Sequence, residues 1–339
     1  MTPAFFFEGS LGCNMTKSPE MIWLDVLDLE EKGDRENALL QARSVVEMDE
    51  KHADAWMAIA RLNLPPLTRG KPLMPDLKQC SKAMTALKKV IQYDPDNDLA
   101  WELGGALLID HLGMLEHGLE WWENRRKNEP HQVTPLVEQI GILARMGYYE
   151  DCAIKLDELF GEEMDAPANQ QLLRMQSVRQ MVEKAAKMEN SEIFNPRDNL
   201  DSRWEIMKRM KNKKPITENR FLFTFTAPIV FLLGILVMDV LGDTALGTIA
   251  VFLIILFLFA TITRLSNSLL NNLNRHALDL DRAIDFESTS GKICIPDEIR
   301  ESKLYSSMMD IKTPALKQRM DMIITSGEKL PKKWELNVP

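Results

Sequence analysis

Two long uncharged stretches of the sequence constrain its fold more than any other feature. No charged residue occurs in 221–238 or in 244–263, and two acidic residues lie between these stretches. A helix of about 20 apolar residues crosses the ~30 Å hydrocarbon core of a bilayer. Because lipid offers no hydrogen-bond partner to backbone N–H and C=O groups, we predict two transmembrane helices, over about 220–241 and 244–265. The alternative is a buried hairpin in the core of a soluble domain.

The charges that flank these stretches predict an orientation. Six basic residues lie between 208 and 220, whereas the turn between the stretches holds only Asp239 and Asp243. Cytoplasmic flanks carry an excess of Lys and Arg, so we expect a multi-pass protein of the cell membrane with both termini in the cytoplasm. No charge lies near the middle of either stretch. Because such charges mark ion or proton paths, their absence argues against a transporter.

The same basic segment is a candidate for contact with lipid headgroups. Anionic headgroups attract nearby Lys and Arg side chains by about 1 kcal/mol each. The alternative is that these charges set the topology alone and select no lipid. The predicted membrane-surface residues are Trp204, Lys208, Arg209, Lys211, Lys213, Lys214 and Arg220.

Composition argues against several other classes of function. The formal charge of -9 and the sequence pI of about 5.3 argue against nucleic-acid binding, which needs a basic surface. The 4 cysteines lie far apart and form no C-x-x-C pair, so neither a zinc site nor a redox motif is indicated, and we expect no metal and no cofactor. Residues 1–17 hold a short apolar run that no basic residue precedes, which predicts a disordered start and not a signal peptide.

An internal repeat organises the N-terminal half of the chain. Asp49 and Asp94 each lead, over seven residues, to an Ala-Trp pair that ends at Trp56 or Trp101. Ile22 lies 34 residues before Trp56, within an earlier helical pattern of apolar residues. Short amphipathic helices joined by tight turns form αα-hairpins, and one such hairpin cannot bury its apolar faces alone. The sequence therefore predicts a stack of hairpins.

On these residues the region 18–190 resembles tetratricopeptide repeats, a family with a 34-residue period. The small residue that opens the second helix in this family is matched by Ala38 and Ala83. The two motif tryptophans are 45 residues apart, however, because a proline-rich insert over 65–75 predicts a loop between the helices of the second repeat. An unrelated helical bundle is the alternative.

The resemblance implies a concave groove, lined by the first helix of each repeat, that holds a partner peptide. In this register the sequence places acidic and apolar residues along the groove, which favours a basic or amphipathic partner segment. Trp23 is the strongest candidate for a partner contact. Helix packing is the alternative role for these side chains. The predicted groove residues are Glu20, Trp23, Leu27, Asp54, Met57, Arg61, Glu102, Ala106 and Ile109.

The fold class predicted from these patterns is all-α. A tetratricopeptide-like solenoid of helical hairpins is followed by a transmembrane helical hairpin and a helical cytoplasmic tail. Apolar residues at helical spacing predict that the second membrane helix runs on to about Phe286. The predicted segments are a disordered N-terminus (1–17), the repeat domain (18–190), a basic amphipathic juxtamembrane linker (191–219), the two membrane helices (220–266) and the tail (267–339).

The sequence carries no familiar catalytic motif. It contains no P-loop, no G-x-G-x-x-G and no G-x-S-x-G, and its 5 histidines form no H-E-x-x-H. We therefore predict a membrane-anchored scaffold or adaptor, not an enzyme, that binds a basic or amphipathic protein or peptide on the cytoplasmic side and contacts membrane lipids. The alternatives are an accessory subunit of a membrane transport or secretion complex, and an enzyme with a divergent helical site. Self-association into a homo-oligomer is left open.

Overall fold

The computed structural model describes residues 17–66, 72–189, 192–241 and 245–339. The predicted all-α class is confirmed, because the regular structure of these residues is helical. An isolated bridge between Ile293 and Lys329 is the one β-type pairing that they contain. The predicted disordered N-terminus, apart from Lys17, and the turn at 242–244 lie outside the described residues.

The chain divides into two compact units, 1–107 and 108–339. This division differs from the predicted domain boundary at residue 190 and falls inside the predicted third repeat. A π-helical turn, Leu107–His111, contains the boundary.

The described residues of the first unit form five helices, close to the predicted positions. The Ser18 hydroxyl caps the first helix by accepting the Met21 N–H at 3.3 Å, and Pro19 opens its first turn. Successive helices pack against each other along the unit. The five helices are α1 (Pro19–Glu31), α2 (Arg35–Met48), α3 (Ala53–Asn63), α4 (Leu77–Tyr93) and α5 (Asp98–Ala106). The predicted loop lies between α3 and α4, and its residues 67–71 are outside the described part of the chain.

The two copies of the repeated motif fold in the same way. Trp56 and Trp101 each donate their indole N–H to the carbonyl six residues earlier, Glu50 O and Pro95 O, at 2.8 Å in both cases. Trp101 is buried with 3% of its surface exposed, but Trp56 is only half-buried. The shared turn therefore buries the ring fully in the second copy only. The resemblance of this array to tetratricopeptide repeats stays a prediction.

The second unit begins with four helices at predicted positions and a fifth after a short connector. Trp204 on the fifth helix repeats the same turn, donating its indole N–H to Asp198 O, again six residues earlier, at 3.0 Å. The sequence motif did not reveal this third copy because Arg197 and Arg203 occupy the positions of its aspartate and its alanine. These helices are α6 (Leu115–Asn128), α7 (Val133–Met146), α8 (Tyr149–Leu159), α9 (Asn169–Ala185) and α10 (Ser202–Met210).

Two packed legs form an apolar hairpin in the second unit. The close approach of the legs depends on Gly234, because a Cβ there would lie 3.3 Å from Ile255 Cδ1. Nearer the base, the hydroxyls of Thr226 and Ser266 are 2.9 Å apart. The first leg comprises α11 (Glu218–Phe221), a π-helical turn (Leu222–Thr226) and α12 (Ala227–Leu241), and the second is α13 (Ala245–Leu273).

Asn274 ends α13 and holds the base of the hairpin together. Its side-chain amide donates to Ile216 O at 2.8 Å and accepts the Ile216 N–H at 3.0 Å. The prediction that the second leg runs on to Phe286 is therefore wrong. The chain turns at Asn274, and a separate helix, α14, covers Arg275–Ser290.

The apolar length of each leg determines whether its composition alone supports a membrane crossing. In the described part of the chain, one helical stretch, Glu218–Asp239, is long and apolar enough to cross a bilayer. Ile249–Ile262 on the second leg is apolar but shorter. The transmembrane hairpin, with either crossing, therefore stays a prediction.

The residues after the hairpin form a packed core rather than a loose tail. α14 is followed by α15 (Asp297–Arg300), α16 (Lys303–Asp310) and α17 (Pro314–Ser326), the last capped by Thr313 as its Thr-Pro signal indicates. These helices bury their apolar side chains together with those of α10. Residues at the centre of this core include Trp204, Met207, Leu280, Ile284, Leu304 and Met320.

A buried carboxylate organises the turn after α14. Glu287 is fully buried, and its Oε1 accepts the N–H groups of Cys294 and Ile295, each at 2.8 Å. The same oxygen lies 2.6 Å from Arg300 Nη2, which forms a buried ion pair. This one carboxylate oxygen therefore accepts hydrogen bonds from three donors, two in the segment before α15 and one on the last residue of α15.

The segment after the hairpin also fastens the turn that precedes α6. Gly113 adopts a φ of 62°, and a Cβ there would lie 2.8 Å from Ser288 Oγ, so the approach requires glycine. Three consecutive carbonyls of the turn accept side-chain hydrogen bonds. The pairs are Thr313 Oγ1 to His111 O (2.7 Å), Arg319 Nη1 to Leu112 O (2.9 Å) and Ser288 Oγ to Gly113 O (3.0 Å). Burial lowers the pKa of Arg319 to about 10.

Candidate functional site

The predicted groove residues on α1 lie on or beside an exposed face of that helix. Glu20 and Leu27 are exposed, whereas Trp23 is half-buried with its ring centroid 5.1 Å from that of His52. Leu24 lies between Glu20 and Leu27 on this face and exposes 64% of its surface. The family register did not assign Leu24 to the groove, so the structure adds it as a candidate contact.

The predicted residues on α3 lie beside those on α1. Asp54 and Arg61 are exposed and Met57 is half-buried. Arg61 Nη2 lies 3.1 Å from a carboxylate oxygen of Glu30, at the other end of α1 from the Trp23–His52 contact. The two contacts thus place α1 and α3 side by side. The ion pair is largely solvated and contributes little stability.

The last groove positions divide between exposed and buried. On α5, Glu102 is exposed and Ala106 is half-buried. Ile109 is wrong as a groove residue, since it exposes only 7% of its surface. Its Cγ1 would lie 2.8 Å from a Cβ placed on Gly118, so it fills space inside the second unit. The family register assumes an uninterrupted α-helix, whereas Ile109 lies in the π-helical turn, which changes the direction of its side chain.

Most of the predicted membrane-surface cations reach solvent. Arg209, Lys213, Lys214 and Arg220 are exposed. The other two are paired with carboxylates, one on the same helix and one on α15. Lys208 Nζ lies 2.7 Å from Glu205, and Lys211 Nζ lies 2.8 Å from Glu298.

Trp204 is wrong as a membrane-surface residue. It exposes 2% of its surface and makes an edge-to-face contact with Phe194 at 5.0 Å between ring centroids. The amphipathic pattern of α10 shows that one of its faces is covered, but it does not show whether lipid or protein covers that face. Here α14 to α16 cover it, so a lipid surface is not needed to explain the apolar residues.

The two legs of the hairpin expose large apolar side chains. Phe223, Phe231 and Phe257 expose 72%, 69% and 70% of their surfaces. Further exposed apolar side chains continue along both legs, among them Ile229, Leu232, Leu236, Phe252, Leu253 and Leu256. Soluble proteins rarely expose a continuous apolar surface of this kind, and such surfaces mark contact with membranes or partners.

The final residues of the chain lie beside α6 and α8 of the second unit. The N–H of Leu336 donates to Tyr148 Oη at 3.1 Å, and the N–H of Asn337 donates to Glu116 Oε1 at 3.1 Å. Lys155 on α8 donates to the Pro339 carbonyl at 3.4 Å. This segment therefore contacts α6 and α8 through its backbone, and no pattern in the sequence predicted these contacts.

Lys155 is an unusual anchor for that segment because it is buried. Its Nζ also donates to Gln139 Oε1 at 3.2 Å, and Gln139 in turn donates to Glu123 at 3.0 Å. Burial lowers the pKa of Lys155 from its ordinary value, with the nearby Arg126 acting in the same direction. Of the two hydrogen bonds of this buried ammonium group, the one to the Pro339 carbonyl is present only while the segment is in place.

The described residues give little support for catalytic chemistry. Among them, no group of three or more His, Cys, Asp or Glu side chains is placed to hold a metal ion. Burial raises the pKa of the Cys80 thiol to about 11 and that of Cys152 to about 12, so neither is an activated thiolate near neutral pH.

Comparison with known proteins adds no family. No family model matches the chain, and no curated protein matches it.

Proposed function

We propose that this protein is a membrane-anchored helical-repeat scaffold that binds a protein partner on the cytoplasmic side. The observation that carries the proposal is the exposed apolar surface of α12 and α13, which belong to a unit whose other helices bury an extensive core. A hairpin of this kind is stable where lipid covers it.

Two features support a second crossing by α13. The helix has 29 residues and is therefore about 44 Å long, more than the ~30 Å of a hydrocarbon core. The Asn274–Ile216 hydrogen bonds hold the end of α13 beside the start of the first leg. Both ends of the hairpin thus lie on one side, and the exposed Arg209, Lys213 and Lys214 support a cytoplasmic location for that side.

Cysteine labelling tests this topology. In a background without the native cysteines, Asp239→Cys should react with an impermeant maleimide in intact cells, because Asp239 is exposed at the far end of the first leg. Asn212→Cys and Lys303→Cys, both at exposed positions on the cytoplasmic side, should react only after permeabilisation. Labelling of Asn212→Cys or Lys303→Cys in intact cells would contradict the proposed orientation.

The partner surface that we propose is the face of α1 and α3 that carries Glu20, Leu24, Leu27 and Asp54. It combines exposed apolar side chains with exposed carboxylates. Such a surface complements the apolar face and the flanking cations of an amphipathic basic helix. Carboxylates at its rim would steer a basic partner and make association sensitive to salt.

Site-specific photo-crosslinking tests the partner surface. A photoreactive residue in place of Leu24 should yield a discrete crosslinked protein that is weakened by added salt. The same residue in place of Leu40 should not, although Leu40 on α2 is an equally large apolar side chain with 61% of its surface exposed. Trp23→Ala, next to the predicted contact, should weaken the Leu24 crosslink about tenfold, as expected for loss of an interface aromatic.

The crosslinking pattern also distinguishes a scaffold that binds its partner through α1 from an accessory subunit that binds through the hairpin. Equal products from positions 24 and 40 would contradict a partner surface on α1. A partner crosslinked only from Phe231, on the exposed face of the first leg, would favour the alternative of an accessory subunit in a membrane complex.

A further inference from the structure

A cavity of about 250 Å³ lies beside the base of the hairpin in the second unit. Its walls come from α9, the connector before α10, and the junction of α13 with α14. Four cationic side chains line it, namely Lys184, Arg203, Arg275 and Arg282, against a single acidic lining residue, Glu192. The cavity therefore concentrates positive charge in a protein whose formal charge is -9.

In the part of the chain that the structure describes, three of the four cations make no direct contact with a carboxylate. Arg203 Nη1 is 3.1 and 3.3 Å from the two carboxylate oxygens of the buried Asp279 and is neutralised by them. Arg275 donates only to the Glu192 carbonyl, at 3.3 Å. Among the described residues, Arg275, Arg282 and Lys184 form no ion pair within 4.0 Å.

Arg282 is held in position by neutral acceptors. Its Nε donates to Arg145 O at 3.2 Å, and its Nη2 donates to Tyr149 Oη at 2.7 Å. These bonds fix the plane of the guanidinium without a direct carboxylate contact, and the buried Asp279 interacts with its charge only at longer range. Fixed guanidinium groups recognise the oxygens of phosphate groups through charge-assisted hydrogen bonds.

The remaining walls are apolar. Met181 and Leu278 are exposed at the cavity, and Met188 and Phe194 complete this side. Asn271, also in the lining, follows the last residue of the apolar stretch, Ile262, by nine residues of continuous helix, or roughly 14 Å. A ligand in the cavity thus meets cations on one side and apolar side chains on the other.

We propose that this cavity binds a phosphate monoester group attached to an apolar moiety. The dianionic phosphate would lie between Lys184, Arg275 and Arg282, and the apolar part would lie against Met181 and Leu278. Such a ligand has two sources, a phospholipid of the surrounding bilayer with a terminal phosphate or a soluble phosphate ester.

Calorimetric titration of the full chain in nanodiscs of neutral phosphatidylcholine tests the site. Dioctanoyl phosphatidic acid should bind to the wild-type protein, and K184Q/R275Q should bind it about tenfold more weakly, since two charge-assisted contacts are lost. Lys184 and Arg275 are exposed, so the variant keeps the fold. The control K213Q/K214Q removes the same charge from exposed lysines outside the cavity and should bind as the wild type does.

Two further ligands identify the source and the chemistry. Binding of phenyl phosphate as tight as that of dioctanoyl phosphatidic acid would support a soluble phosphate ester, and binding of the dioctanoyl lipid alone would support a lipid. Dioctanoyl phosphatidylserine, which carries a phosphate diester, should bind more weakly than the monoester. The proposal is overturned if neither monoester binds, if the diester binds as tightly, or if K213Q/K214Q loses as much affinity as K184Q/R275Q. The soluble arm does not depend on the proposed topology or partner surface.

Discussion

Replacing Glu287 with alanine is expected to lower the free energy of unfolding of the second unit by about 3–5 kcal/mol, the usual cost of breaking a buried ion pair. The change leaves the N–H groups of Cys294 and Ile295 without an acceptor and the guanidinium of Arg300 without its counter-charge. Equilibrium urea denaturation of the full chain in micelles, with amide exchange of 275–326 as a local readout, measures the effect.

Two variants separate charge from shape at this position. Glu287→Gln keeps an oxygen acceptor of the same size and should lose less stability than Glu287→Ala. Glu301→Ala removes an exposed carboxylate next to Arg300 and should change the free energy of unfolding by less than about 0.5 kcal/mol. A Glu287→Ala protein as stable as Glu301→Ala would show that the three-donor arrangement does not support the unit.

Replacing Trp101 with alanine is expected to destabilise the first unit by about 3–5 kcal/mol, since the change leaves a cavity where a buried aromatic ring packed. The Pro95 carbonyl also loses the indole donor at 2.8 Å. Amide exchange of α3 to α5 in the full chain should accelerate accordingly.

Trp56→Ala is the matched control for Trp101→Ala. It removes the same side chain and the same hydrogen bond, to Glu50 O at 2.8 Å, but from a half-buried position. Its effect should be clearly smaller, because less apolar surface returns to water. Equal losses for the two variants would mean that the shared turn, and not the burial of Trp101, provides the stability.

Local signals in the sequence predicted the helices well. Ser18 and Thr313, each before a proline, mark helix starts because a capping side chain bonds within its own first turn. The repeated Asp-to-Trp motif likewise produced the same hydrogen bond in both copies. Such features depend on neighbours within about six residues, so the sequence contains them directly.

Long-range packing was not predictable in the same way. The sequence analysis assigned Trp204 on α10 to the membrane surface, because the helices that cover this face begin more than 70 residues later in the chain. The assignment of Ile109 to the groove was wrong for a different reason. A π-helical turn shifts the helical register by one residue and leaves no clear pattern in the sequence. Leu24 was missed because exposure of an apolar side chain depends on what the rest of the unit covers.

The hydrogen bonds that residues 288–319 donate to the turn at 111–113 have a consequence for the order of folding. The acceptor carbonyls are synthesised before the hairpin and their donors after it, and Glu116 meets the N–H of Asn337 across 221 residues. At a synthesis rate of roughly 5–20 residues per second, on the order of 10–45 s pass between the synthesis of these early helices and that of the residues that bond to them. We therefore expect the hairpin to enter the bilayer before the second unit closes, so that insertion failure leaves an open, aggregation-prone intermediate.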